Sequence, residues 1–131
     1  MKKIIKTNHA PDALGPYSQG VKADCGTVVY TSGQIGIDPQ TKQLAGTTAA
    51  EQCRQVMENL KVILVAGGAD LSHVVKTTIF LVDIADFAAV NEVYGEYFDD
   101  NPPARATIQA AALPMGALVE IDAIAVVCDS H

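Results

Sequence analysis

One stretch constrains the fold more than any other: residues 101–127, NPPARATIQAAALPMGALVEIDAIAVV. Arg105, Thr107 and Gln109 alternate with Ala106, Ile108 and Ala110, and Glu120 and Asp122 alternate with Val119, Ile121 and Ala123. Successive side chains of a strand point to opposite faces, so period-2 alternation of this length marks two half-buried strands. A Pro-Pro stop precedes the first, and Pro114, Met115 and Gly116 form a turn between them. The stretch therefore reads as a hairpin. One face is apolar and seeks a core; the other carries a guanidinium, hydroxyl and amide groups, and two carboxylates.

Arg105 stands apart within it. It is the only Lys or Arg after Lys76, while nine Asp and Glu follow that lysine. An arginine at the start of a strand, behind a rigid Asn-Pro-Pro, presents a planar five-donor fork from a fixed backbone. That fork matches a carboxylate bidentately, which a lysine ammonium cannot do. The competing reading is a solvated strand-end arginine, or a structural ion pair with Glu120 or Asp122.

At 131 residues the chain fits one domain spanning residues 1–131, long enough to bury a core without disulfide support. The net charge is −6, and the nine basic side chains are scattered singly apart from Lys2 and Lys3. There is no basic stripe of the kind nucleic acid binding needs. Cys25, Cys53 and Cys128 are odd in number and lack a CxxC, so they read as reduced thiols of a cytoplasmic protein. His9, His73 and His131 share no ligand spacing with them, and no metal is expected. No apolar run is long enough to span a membrane, and no signal-peptide core follows Lys3.

In chain order, residues 2–6 read as an edge strand and residues 10–20 (APDALGPYSQG) as a loop holding Tyr17. Residues 21–31 read as a hairpin turning at Asp24, Cys25 and Gly26. Gly33 then marks a bulge or a close approach to the backbone. Thr48 and Glu51 form a capping-box pattern that opens a helix over residues 48–66, with Cys53 and Met57 on its core stripe. Residues 74–82 form a nearly continuous apolar strand, expected to be central. Asp83 caps a second helix, whose buried stripe runs through Phe87, Val90 and Tyr94 with Asn91 at its edge. The order β-ββ-α-β-α-β-β predicts an α+β fold: a mixed sheet with two helices packed on one face.

Taken together, residues 10–20, 30–41 (YTSGQIGIDPQT), 87–98 (FAAVNEVYGEYF), 101–107 (NPPARAT) and 113–125 (LPMGALVEIDAIA) resemble the RidA family, also called the YjgF family. The likeness spans essentially the whole chain. It implies a chorismate-mutase-like fold, a homotrimer with clefts between subunits, and hydrolysis of reactive enamines and imines such as 2-aminoacrylate and 2-iminobutanoate to 2-keto acids and ammonia, with no cofactor. By resemblance, Arg105 clamps the substrate carboxylate and Glu120 holds the attacking water. Tyr17, Gly33, Asn91, Thr107 and Pro114 fall at cleft positions. Thr107 is a departure, because many members carry cysteine there. Thiol chemistry at that position is thereby placed in doubt, whereas imine hydrolysis, with water as nucleophile, does not need it.

A regular hairpin turning near residue 115 sets Arg105 and Glu120 about 16–20 Å apart. Two groups acting on one small substrate cannot be so far apart: either the hairpin register is irregular or one group comes from a neighbouring subunit, and the prediction is a site shared at a cyclic trimer interface. The same family resemblance brings two rival functions: an endoribonuclease that inhibits translation, and a non-catalytic small-acid binder or chaperone-like protein. The acidic composition speaks against the first.

Overall fold

The computed structural model describes residues 2–24 and 26–128. Its elements are β1 (Lys2–Ile5), β2 (Gly20–Ala23), β3 (Thr27–Tyr30), β4 (Gln34–Ile35), α1 (Ala49–Ala66), β5 (Val74–Leu81), α2 (Phe87–Gly95), β6 (Ala104–Gln109) and β7 (Val119–Val127), with three short 3-10 turns between them. The main sheet runs β3-β7-β5-β6, with β4 also on β7, and β1 and β2 form a separate pair. Both α-helices contribute to one core with this sheet, so the expected α+β architecture is what the chain adopts.

Local rules account for the helices. Thr48 accepts from the Glu51 backbone N–H, and Glu51 reaches back to the Thr48 N–H, closing the capping box that the sequence announces. Cys53, Val56, Met57, Leu60 and Leu64 then recur on one face and are fully buried. They pack against Val74, Ile79 and Leu81 of β5, and Val119, Ile121, Ala123 and Ala125 of β7. Each large side chain in this layer contributes roughly 1.5–3 kcal/mol of transfer free energy. Burial pushes the Cys53 thiol up to about 12, so it packs as an inert hydrophobe. Asp83 caps a 3-10 turn, Ile84–Asp86, that leads into α2, rather than capping α2 directly.

Both expected hairpins are absent. β2 pairs with β1, and β3 pairs with the far end of β7. More consequentially, β6 and β7 do not touch: β5 lies between them, parallel to β6 and antiparallel to β7. Alternation tells which residues share a face of one strand, not which face is inward or which strand lies beside it. Against expectation, Arg105 and Thr107 of β6 take the helix side with Thr77 and Ile79, Ile108 is exposed on the other, and Glu120 and Asp122 do not share the Arg105 face. β5 takes an interior place as expected, between β7 and β6, and α2 provides the crossover that a parallel β5–β6 pair requires. The connection from β6 to β7 then wraps around the end of β5. The Ala110 N–H donates to the Leu81 carbonyl, and the Val82 N–H to the Leu118 carbonyl. Met115 within this connection has a φ of 58°, and Gly116 follows at 69°.

Cys128 is disulfide-bonded, contrary to the reading of three reduced thiols. Cys25 and His131 lie outside the described residues. Among the described residues no helix is long and apolar enough to cross a membrane.

Removing the cap by Thr48→Ala is expected to cost about 1 kcal/mol. Urea denaturation checks it: the midpoint should fall with an unchanged slope, and an unaltered midpoint would mean that the box contributes nothing.

Candidate functional site

Arg105 lies on the edge strand β6, paired in register with Thr77 of β5. Thr77 is 1% exposed and faces the helix layer, so the Arg105 side chain leaves the sheet on that same side. There Nη1 donates to Asn91 Oδ1 at 2.5 Å. Three rings surround the guanidinium, with Cζ 5.1 Å from the centroid of Tyr17, 5.2 Å from Tyr94 and 5.4 Å from Phe87. Phe87, Asn91 and Tyr94 stand at i, i+4 and i+7 on α2, which puts two rings and the amide on one helix face.

Tyr17 reaches the cage from the loop of residues 10–20. That loop is tied to the segment before β6: Ser18 Oγ donates to the Pro102 carbonyl at 2.5 Å, and the Ser18 N–H to the Pro103 carbonyl at 3.1 Å. The Leu14 N–H donates to the Tyr17 phenol oxygen at 3.3 Å, which holds the ring upright. A Cβ at Gly15 would sit 3.3 Å from Asn91 Nδ2, so the loop closes tightly over the amide.

Among the described residues Arg105 has no carboxylate partner; its recorded hydrogen bond is to Asn91. Half-burial pushes its pKa down from the usual value, while Tyr94 and Tyr17 act in the opposite sense. A guanidinium remains charged through any working pH. The cation is thus partly desolvated and cushioned by π faces, with most of its five donors uncommitted. Two residues further along β6, on the same face, the Thr107 hydroxyl oxygen is buried and has no hydrogen-bond partner among the described residues.

Glu120 lies elsewhere. It pairs with Phe80 on the other side of the sheet, out of phase with buried Val119 and Ile121. The register separates its Cα from that of Arg105 by two strands and three residues, about 14 Å, with the side chains on opposite faces. This disposes of the ion pair between Arg105 and either Glu120 or Asp122 and replaces the hairpin estimate. Gly33 does meet Glu120: it falls where one extra residue between β3 and β4 makes a bulge against β7. A Cβ at Gly33 would lie 2.1 Å from Glu120 Oε2, so only glycine leaves room for the carboxylate over this backbone.

The predicted residues therefore form two groups. Arg105, Asn91, Tyr17 and Thr107 share the helix side of the β6 edge; Glu120 and Gly33 share the opposite sheet face near β4. Pro114 opens the exposed 3-10 turn, Pro114–Gly116, in the connection from β6 to β7. Phe87 and Tyr94 read from the sequence as core residues, and their part in the cage is signalled only by their helical spacing to Asn91. Among the described residues no cluster of His, Cys, Asp and Glu could hold a metal ion.

This geometry defines a small α+β protein with a ring-caged arginine on one sheet edge and a glutamate on the opposite face. The sequence profile of the family described as Endoribonuclease L-PSP matches residues 7–127. Protein DfrA of Myxococcus xanthus is 56% identical over 125 residues, covering 95% of either chain. The 2-iminobutanoate/2-iminopropanoate deaminase of Homo sapiens is 49% identical over 126 residues, covering 96% of this chain and 90% of its own. The crystal structure of E. coli TdcF with bound serine superposes with a TM-score of 0.74 at 44% identity, covering 95% of this chain and 98% of that one. The chain belongs to the RidA (YjgF) family.

Substituting Gly33→Ala should drive the Glu120 carboxylate off the bulge, since its oxygen and a Cβ cannot share the space. A crystal structure of the variant with Glu120 unmoved would contradict this contact.

Proposed function

We propose that the chain is a hydrolytic deaminase of small 2-imino acids and their enamine tautomers, such as 2-aminoacrylate and 2-iminobutanoate, yielding 2-keto acids and ammonia. The observation that carries this is the half-buried Arg105 fork, ringed by Tyr17, Phe87 and Tyr94 and lacking a carboxylate partner among the described residues. It offers a site for one carboxylate of a small acid. The human relative is named a 2-iminobutanoate/2-iminopropanoate deaminase, and the TdcF structure holds serine, whose carboxylate is the same kind of handle.

The substrate carboxylate takes the free Arg105 donors bidentately, and the Thr107 hydroxyl supplies a further bond. Such positioning turns attack on the C=N carbon into a step within the complex. Glu120 aligns a water over Gly33 and accepts its proton as the oxygen adds to that carbon. The nitrogen takes a proton, the C–N bond breaks, and ammonia leaves a 2-keto acid; one water is consumed for each ammonia released. Tyr17 and Asn91 hold the fork, and Pro114 belongs to the turn that closes the cleft. No step calls on a thiol or a cofactor.

Because Arg105 and Glu120 lie on opposite faces of one sheet, the working site joins Arg105 of one subunit to Glu120 of the next in a homotrimer. The open sheet face supports this assembly. Val28 and Tyr30 of β3 and Ile108 of β6 project from it, 44%, 73% and 48% exposed, beside half-buried Phe80 and Ile124. An apolar sheet face of this kind is usually covered by a partner.

Arg105→Ala should lower kcat/KM at least about 100-fold, with little rescue by Arg105→Lys. The assay is decay of an imine generated by a dehydratase. An Arg105→Ala protein at full activity would remove the carboxylate clamp. Mixing decides the shared site. Arg105→Ala and Glu120→Gln proteins, each inactive, refolded together at equal amounts should recover about a quarter of wild-type activity, because a quarter of the interfaces join two intact halves. No recovery in proven mixed oligomers would place the chemistry within one subunit.

A further inference from the structure

A buried polar pair beneath the Arg105 cage has a use beyond packing. Tyr94 is fully buried, and its phenol oxygen lies 2.8 Å from Thr77 Oγ1. Thr77 is the β5 residue in register with Arg105, and the Tyr94 ring is one of the three that surround the guanidinium. The same tyrosine thus bonds the strand neighbour of Arg105 with its hydroxyl and meets the cation with its ring. Filling the core does not call for this arrangement, since a phenylalanine beside a valine would occupy nearly the same volume without placing two hydroxyls in an apolar layer. Burial pushes the phenol up to about 12, so the ring meets the cation as a neutral π face through any working pH. Among the described residues Arg105 has one hydrogen bond, to Asn91, so its orientation otherwise depends on where the rings stand.

We infer that the Thr77–Tyr94 hydrogen bond is the positioning device of the anion clamp. It fixes the rotation and depth of the Tyr94 ring against Arg105 and thereby the direction in which the uncommitted N–H groups face. Thr77 and Tyr94 are positioning residues: they act on carboxylate binding through Arg105 and do not touch the reacting atoms. This rests on Arg105 being the carboxylate clamp. It adds that the clamp is aimed from below by a bond between β5 and α2.

The test uses the full-length protein, 2-oxobutanoate as a stable product-like probe for calorimetric Kd, and the coupled imine assay for KM and kcat. Thr77→Val and Tyr94→Phe should each raise Kd and KM roughly five- to tenfold while kcat stays within about twofold, the pattern of lost binding that is equal in ground and transition states. Thr77→Ser keeps the hydroxyl and should restore wild-type values. The double variant Thr77→Val/Tyr94→Phe separates aiming from folding. It leaves neither hydroxyl orphaned, so its Tm should recover above that of either single variant while Kd and KM remain raised to the same extent. Kd and KM returning to normal along with Tm would overturn the inference, as would single variants that lose Tm with unchanged Kd. Arg105→Ala is measured alongside. If it still binds 2-oxobutanoate normally, the clamp itself is wrong; if it does not, while the Thr77 and Tyr94 variants do, only the positioning role fails.

Discussion

The rest of the structure depends on how one cation is kept partly out of water. Desolvating a guanidinium is unfavourable, and proteins ordinarily offset this with a carboxylate. Here the offset comes from three aromatic faces and one amide oxygen. Each π contact is worth about 0.5–2 kcal/mol, and none of them uses up an N–H group along its bonding direction. An internal carboxylate would have satisfied the fork and closed it. The cage holds the charge in place and leaves it unsatisfied, which is the condition for binding an anion brought from outside. Three elements meet to make it: the parallel pairing of β5 and β6, the helical face of α2, and the loop tied by Ser18 to the prolines before β6.

A pleated sheet then imposes a second constraint. Residues of opposite parity point to opposite faces, and the register of β6, β5 and β7 puts Arg105 on the helix side and Glu120 on the open side. No rotamer carries a side chain through a sheet. If both groups act on one molecule of a few atoms, a second chain has to bring the missing half. The open face, with Val28, Tyr30 and Ile108 exposed, is an apolar surface whose burial by a neighbour would be favourable. On this reading catalysis and assembly have one cause, the parity of two strand positions.

Much of this was legible from sequence, and the failures have a common origin. The capping box of α1, its buried stripe and the central place of β5 follow from local rules over long segments. Strand partners do not. The alternation in residues 101–127 gave the right strands but set the polar residues of both on one face. In the fold Arg105 and Thr107 of β6 turn to the helix side and Ile108 to the open side, opposite in sense to β7, because period 2 is silent about which face is inward and about the intervening β5. The conclusion drawn from the false hairpin, that Arg105 and Glu120 stand too far apart within one chain, survives for a different reason: they stand on different faces. β4 is two residues long and carries no pattern to detect. Asn91 was placed by its distance from Val90, at the rim of the core stripe; its i+4 and i+7 relation to Phe87 and Tyr94 was the stronger signal. Gly33 left a bulge and a close approach equally open, and the chain uses it for both.

The family profile carries an endoribonuclease description, whereas the human relative is named an imine deaminase. Physical chemistry separates the two for this chain. A polynucleotide is held through several phosphates, each wanting its own cation, and the affinity falls steeply with salt as those contacts are lost. This chain has a net charge of −6. Of its two arginines, Arg54 is paired with Glu96, so Arg105 is the one whose fork has no carboxylate partner among the described residues. A single fork between three rings can grip one anionic group but offers nothing to a row of phosphates. Hydrolysis of the C=N bond of one small imino acid asks for a single anion grip, a water and a group to steer it, and not for a row of cations.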